Sequence, residues 1–248
     1  MIRRLEELSA NAWPGLRSVL VDGWLLRFAE GYSSRANSVL PLYPGSVPLA
    51  EKIAHCEALA ASRGADTIFK LTEAALPEGL DAELERRGYA HVADTAVMVL
   101  AALPPGEALR SEGVRVMEEL EDPWFRFYAD TGGLDERKRG AARAIMEHIV
   151  PQRRFLLLEA EDGAAACALT VVEDGWAGVF DVAVRPDLRG RGLGRRIMAA
   201  TFQEAAALGA HRSYLQVVRG NHPAEELYRK LGYAPAYPYW YRVRKAEP

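Results

Sequence analysis

The chain has 248 residues, 49% of them hydrophobic and 26% charged, an ordinary composition for a soluble globular protein with room for one large domain or two small ones. Its net charge of −3 excludes the chain-wide basic field expected of a protein whose partner is nucleic acid or an anionic membrane. Two cysteines, Cys56 and Cys167, stand far apart without Cys-x-x-Cys or Cys/His spacing, which argues against a disulfide framework and a zinc site, so no metal is expected.

The first residues lack the apolar core of a signal peptide, and no apolar run approaches the roughly 20 residues of a membrane span, so a cytoplasmic location is expected. Residues 2–11 read as a short amphipathic helix ending before Trp13-Pro14, and residues 16–20 either extend it or lead into a strand. Residues 24–28 and 36–42 are predicted strands around a turn at 29–32, a hairpin. Residues 48–63 carry Leu49, Ile53, Ala54, Cys56, Leu59 and Ala60 at helical spacing, stop at Gly64, and lead into a strand at 67–71. A helix at 79–87 and a strand at 95–103 complete the order β-β-α-β-α-β.

Two prolines and a glycine in Leu103-Pro104-Pro105-Gly106 interrupt both periodicities, which places a linker at 103–113 between domains 1–105 and 114–248. Beyond it the pattern predicts a strand at 114–117, helices at 122–130 and 136–149, and strands at 155–159, 164–173 and 176–184. A helix at 194–208, a strand at 213–218, a helix at 223–231 and a terminal strand at 237–243 follow.

The two halves share a weak internal repeat. Residues 60–65, Ala-Ala-Ser-Arg-Gly-Ala, echo 205–210, and residues 84–90, ending Arg-Gly-Tyr-Ala, echo 228–234, ending Leu-Gly-Tyr-Ala, at spacings of 145 and 144.

The stretch that carries chemistry is residues 180–202. A strand leads through Arg185-Pro186-Asp187 into Arg189-Gly190-Arg191-Gly192-Leu193-Gly194 and then a helix beginning near Arg195. A helix start offers unpaired N–H groups and positive dipole, glycines let that backbone approach an anion, and the arginines add charge, so the loop suits a diphosphate. The glycine spacing matches neither the dinucleotide fingerprint nor the P-loop.

The second stretch is residues 221–233. Asn221 or His222 caps a helix that tolerates Pro223 in its first turn, and the 3-4-3 spacing of 221, 224, 228 and 231 puts Asn221, Ala224 and Tyr228 on one face. An amide to bond a peptide-like chain, a small residue to admit it, and a phenol to give up a proton then stand in a row.

Together these two motifs, in this order, make residues 114–245 resemble an acetyltransferase of the GNAT superfamily. The resemblance implies an α/β (α+β) fold of two GNAT-like domains, each a mixed, largely antiparallel sheet flanked by helices, the N-terminal one degenerate. It implies that the pyrophosphate of acetyl-CoA lies in the loop Arg189, Gly190, Arg191, Gly192, Leu193 and Gly194, with Arg195 at the helix start. Val182, Ala183 and Val184 would line the pantetheine arm, Asn221 and Ala224 would touch the cofactor, and Tyr228 would protonate the departing thiolate. The implied reaction is direct transfer of acetyl from acetyl-CoA to the amine of a small molecule or peptide in a ternary complex.

A substrate amine is mostly protonated at neutral pH and needs a base. Asp181 is the candidate, although strict strand alternation would turn it away from the face of Val182; His222 is a second. The aromatic run at 237–241 reads as a core strand or as the border of a substrate pocket. In the first half, residues 44–49 stand opposite the loop without arginines or alternating glycines, so no CoA is expected there. That domain is expected to shape the acceptor site, with Arg27, Arg35 and Asn37 reading a substrate carboxylate, or else to serve packing alone. The rival function is a non-catalytic acyl-CoA-binding regulatory module, and a monomer or homodimer is expected.

Overall fold

The computed structural model describes residues 1–104 and 113–246, so most of the linker expected at 103–113 lies outside the described residues. The chain forms two compact units, Met1–Ala96 with Tyr237–Pro248, and Val97–Ala236.

The first unit opens with helix α1 (Ile2–Ala12), strands β1 (Arg17–Val21) and β2 (Trp24–Phe28). Asp22 and Gly23 join the strands at φ 42° and 86°, a two-residue turn whose twist suits antiparallel neighbours. The strand expected at 36–42 shrinks to β3 (Val39–Leu40), which pairs with Leu25 and Leu26 of β2. The segment before it is latched by side chains rather than by a ladder. The Asn37 amide accepts from the N–H groups of Ala29 and Gly31 and donates to the carbonyls of Ala29, Tyr32 and Ser33. Buried Arg27 donates to the carbonyls of Trp13 and Arg35, and Arg35 lies over the Trp13 ring. Arg27 and Asn37, expected to read a substrate carboxylate, instead donate to backbone carbonyls and hold this loop together.

Helix α2 (Leu49–Ala61), β4 (Thr67–Thr72), α3 (Leu80–Arg86) and β5 (Ala90–Leu100) follow, and the chain leaves the first unit within β5. It returns within β11 (Ala234–Arg244), whose Tyr239–Arg244 run antiparallel to Thr72–Thr67 of β4. That pairing is why the C-terminus groups with the first unit, whereas the sequence assigned it to the second domain. Trp24, Ile53, Phe69, Leu71 and Leu84 form the core here.

The second unit contains β6 (Val114–Met117), α4 (Asp122–Thr131), α5 (Glu136–Glu147), β7 (Gln152–Ala160), β8 (Gly163–Glu173), β9 (Trp176–Val184), α6 (Leu193–Ala207), β10 (Arg212–Val218) and α7 (His222–Lys230). Its strands lie in the order β10-β9-β8-β7-β6, antiparallel except for the parallel pair β9/β10. Ala166 and Ala168 of β8 are small enough for Ile197 and Ala200 of α6 to pack directly on the strand.

The internal repeat extends through the secondary structure. Helices α2 and α6 begin at 49 and 193, α3 and α7 end at 86 and 230, and β5 and β11 cover 90–100 and 234–244, each 144 residues apart. Each half also carries one parallel strand pair, β3/β4 and β9/β10. Mixed, largely antiparallel sheets flanked by helices are thus the architecture, as expected.

Candidate active site

The site begins with an interruption of the sheet. Parallel pairing of β9 with β10 covers Trp176–Val179 against Arg212–Leu215, yet the strands run on to Val184 and Val218. On its other side β9 carries a bulge: Phe180 pairs with Leu169 and Ala183 with Cys167, so Asp181 and Val182 together oppose Ala168. Asp181 takes φ 51° there. The bulge corrects the expectation from strand alternation, because Asp181 and Val182 line the same cavity instead of opposite faces. The cavity has a volume of about 780 Å³ and lies entirely within the second unit.

Asp181, Val182, Ala183 and Val184 form one wall, the three last half-buried. The glycine loop forms the next. Gly190 and Gly192 adopt φ 77° and 80°, the left-handed region that disfavours side chains, and space is open beyond both. Gly194 answers a different need, since a Cβ there would stand 3.1 Å from Leu227 Cδ2, so its absence lets α6 and α7 approach. Leu193 and Arg195 also line the cavity, and Arg189 lines it with Nε donating to the Val184 carbonyl at 3.4 Å. Arg191 is exposed and is not part of the lining, and Arg185 is held by Asp162 and Asp187 at 2.6 and 2.9 Å.

Helix α7 supplies the third wall through Asn221, Ala224 and Tyr228. Asn221 Oδ1 accepts from Ala224 N–H, the cap that starts the helix, while His222 points outward with 87% of its side chain exposed. Tyr228 is buried, edge-on to Tyr233 at 5.9 Å, and Tyr233 is pinned through Ser213, whose Oγ donates to the Ala177 carbonyl. Burial, and after it the charge of Asp181, pushes the Tyr228 phenol up to about 12, so it is protonated throughout the physiological range. Burial likewise raises Cys167, whose thiol donates to the Asp181 carbonyl beneath the bulge. Both cysteines are buried free thiols.

Among the lining residues that escaped sequence reasoning are Tyr128, Thr131 and Gly132, at the C-terminal end of α4. The aromatic run Trp124-Phe125 and Phe127-Tyr128 was their signal. The Trp124 indole donates to the carbonyls of Leu156 and of Ala168, the residue opposite the bulge, and stacks on Tyr128 at 5.4 Å. Tyr237, Tyr239 and Tyr241 of the terminal aromatic run are buried, consistent with a core strand.

Residues 1–242 match the family model described as "Probable histone acetyltransferase Rv0428c C-terminal". The chain belongs to this family, a group of GNAT acetyltransferases. Among curated relatives of this acetyltransferase, "Uncharacterized N-acetyltransferase YobR" of Bacillus subtilis (strain 168) is 27% identical, with 98% of this chain and 99% of YobR aligned. Among solved structures, a GCN5-related N-acetyltransferase from Kribbella flavida superposes with a TM-score of 0.71 at 18% identity, covering 99% of this chain and 96% of that one. A tandem GNAT protein from the clavulanic acid biosynthesis pathway superposes with a TM-score of 0.69 at 13% identity, covering 98% and 88%. At these identities the two structures speak to the fold. The reading of the chain as a non-catalytic module gives way to that of an enzyme. Among the described residues no helix is long and apolar enough to cross a membrane.

GNAT acetyltransferases use acetyl-CoA as donor, and this cavity suits such a molecule at its phosphate end. Open space beyond Gly190 and Gly192, the first turn of α6, and Arg189 and Arg195 together provide donors and positive charge for a diphosphate.

Proposed function

We propose that the second unit transfers acetyl from acetyl-CoA to an amine by direct attack within a ternary complex. In this reading the diphosphate lies on Arg189–Gly194 and Arg195, and the pantetheine arm follows Val182–Val184, past Asn221 and Ala224. The thioester then reaches the bulge, between Asp181 and Tyr228. Asp181 takes a proton from the acceptor amine, whose nitrogen forms a C–N bond with the carbonyl carbon. The C–S bond breaks and sulfur receives a proton from the Tyr228 phenol. Backbone N–H groups of β9 beyond its pairing with β10 then stabilise the oxyanion; the end of the β9/β10 pairing at Val179 supports this.

The observation that carries the proposal is the meeting, in one cavity, of the glycine-arginine loop, the bulged strand and a buried protonated phenol. An assay of free CoA release over an amine panel, run with acetyl-CoA binding measured in parallel, tests it. Turnover with wild-type protein and its loss in Tyr228→Phe at unchanged acetyl-CoA affinity is the expected result; undiminished turnover in Tyr228→Phe removes Tyr228 as the acid.

A further inference from the structure

The cavity is charged unequally along its length. Arg189 and Arg195 sit at the loop end, with Arg189 tied to the Val184 carbonyl. Asp181 lies three positions back from Val184 along β9, at the bulge. The remaining cation of the lining, Lys230, closes on Glu226 at 2.6 Å. Asp181, Tyr228 and the C-terminal end of α4, with Tyr128, Thr131 and Gly132, contribute one carboxylate and two phenols to the lining, whereas its described cations, Arg189, Arg195 and Lys230, come from the loop, the start of α6 and the end of α7.

Two further features act in the same direction. Thr131 and Gly132 end the ten-residue helix α4, so its negative dipole end faces this part of the cavity. The Tyr128 ring is fixed by its stack on Trp124, whose indole is anchored to two strand carbonyls. A rigid aromatic beside a carboxylate and a helix C-terminus attracts an ammonium group and repels a carboxylate.

We propose that the acceptor is a primary amine with no carboxylate beside the amino group, recognised by Asp181, the C-terminus of α4 and the ring of Tyr128. This rests on the acetyl-transfer reading of the cavity. A free α-amino acid would bring its own carboxylate next to Asp181 without a counter-charge. A simple alkyl or aryl amine, or the amine of a peptide whose neighbouring carboxyl is an amide, has no such cost.

The test uses the full chain at saturating acetyl-CoA and matched acceptors that differ by one carboxylate: tyramine and tyrosine, cadaverine and lysine, histamine and histidine. Among pairs that react, kcat/KM is expected to favour the decarboxylated member by about ten-fold or more. Thr131→Arg, which adds a cation at that end, is expected to narrow or invert the ratio. Equal or better use of the amino acids by wild-type protein overturns the acceptor class while leaving acetyl transfer standing. An unchanged ratio in folded Thr131→Arg overturns the electrostatic basis. Absence of CoA release with every acceptor, in protein that binds acetyl-CoA, defeats the transfer reading and the acceptor class with it.

Discussion

The Asp181 carboxylate and the Tyr228 phenol are electrostatically linked across one cavity: the negative charge of the first adds to burial in holding the second protonated, up to about 12. If Asp181 takes the acceptor's proton, its charge disappears and that part of the shift on Tyr228 goes with it. The phenol then becomes a better acid at the stage when sulfur leaves. The two proposed proton transfers are coupled through this electrostatic interaction.

Tyr228→Phe keeps the ring that packs on Tyr233 and removes only the hydroxyl, so the fold is expected to persist. The turnover number should fall by about 10²-fold or more, the usual contribution of a positioned acid, with acetyl-CoA affinity retained. Because the phenol remains protonated to about 12, the wild-type rate should show no loss attributable to Tyr228 between pH 7 and 10. Steady-state kinetics and equilibrium titration across that range check both statements. A wild-type alkaline limb below pH 10 that disappears in Tyr228→Phe would contradict the second.

The loop makes separable predictions for charge and backbone. Arg189→Ala removes one donor proposed for the diphosphate and should weaken acetyl-CoA binding about ten-fold, more at low salt than at high. Gly192→Ala places a side chain at φ 80° and should cost about 1 kcal/mol in stability as well as affinity. Calorimetric titration and thermal melts distinguish the two. Arg191→Ala should change binding far less than Arg189→Ala, because Arg191 is outside the lining.

Which parts were legible in advance follows from what is local. The glycine loop and the capped helix at Asn221 depend on short-range geometry, and the structure places them where their residue types indicate. The bulge at Asp181 depends on register with β8, so alternation along β9 alone pointed the carboxylate the wrong way. Tyr128 is positioned by an indole that reaches Ala168, forty-odd residues away in sequence, so the aromatic run at 124–128 signalled packing without showing which of its members lines a cavity. Arg27 and Asn37 misled for the opposite reason: polar residues in an apolar run suggest a ligand, but here they complete the bonding of an irregular loop. The Asp22-Gly23 hairpin signal was present in the sequence and overlooked.

In the first half the corresponding loop is held by a carboxylate of the chain itself. Asp22 Oδ1 accepts from the Ser46 N–H and Oδ2 from the Val47 N–H, and Lys52 approaches at 3.1 Å. Ser46 and Val47 stand 144 residues before Gly190 and Arg191, so a carboxylate of the chain itself takes N–H groups at the corresponding place. One acetyl-CoA per chain is the expected stoichiometry, and equilibrium dialysis giving two would contradict it. These bonds hold the Asp22 carboxyl down at about 2, with the backbone donors of Ser46 and Val47 the leading causes. A depressed carboxyl stabilises the fold above its unfolded value and loses that contribution as pH falls from about 4 toward 2. Asp22→Ala should therefore lower Tm at pH 7, and the gap to wild type should close as the pH is brought down through that window.

Glu6 and Lys70 test the energetics of the first unit most sharply. Their side chains are each 3% exposed and meet at 2.6 Å, Tyr237 donates to the second Glu6 oxygen at 2.9 Å, and Lys70 lies over the Tyr239 ring at 4.0 Å. Desolvating two ions offsets much of their attraction, so the intact pair adds little net stability, but removing one partner strands the other as an uncompensated buried charge. Lys70→Met should destabilise by about 3–5 kcal/mol, and Glu6→Gln, which preserves a hydrogen-bond acceptor for Tyr237, by less. The double variant should recover most of the loss of Lys70→Met, because the stranded charge is gone. A denaturant-unfolding cycle measures the coupling; strictly additive losses would show that the pair does not act as a unit.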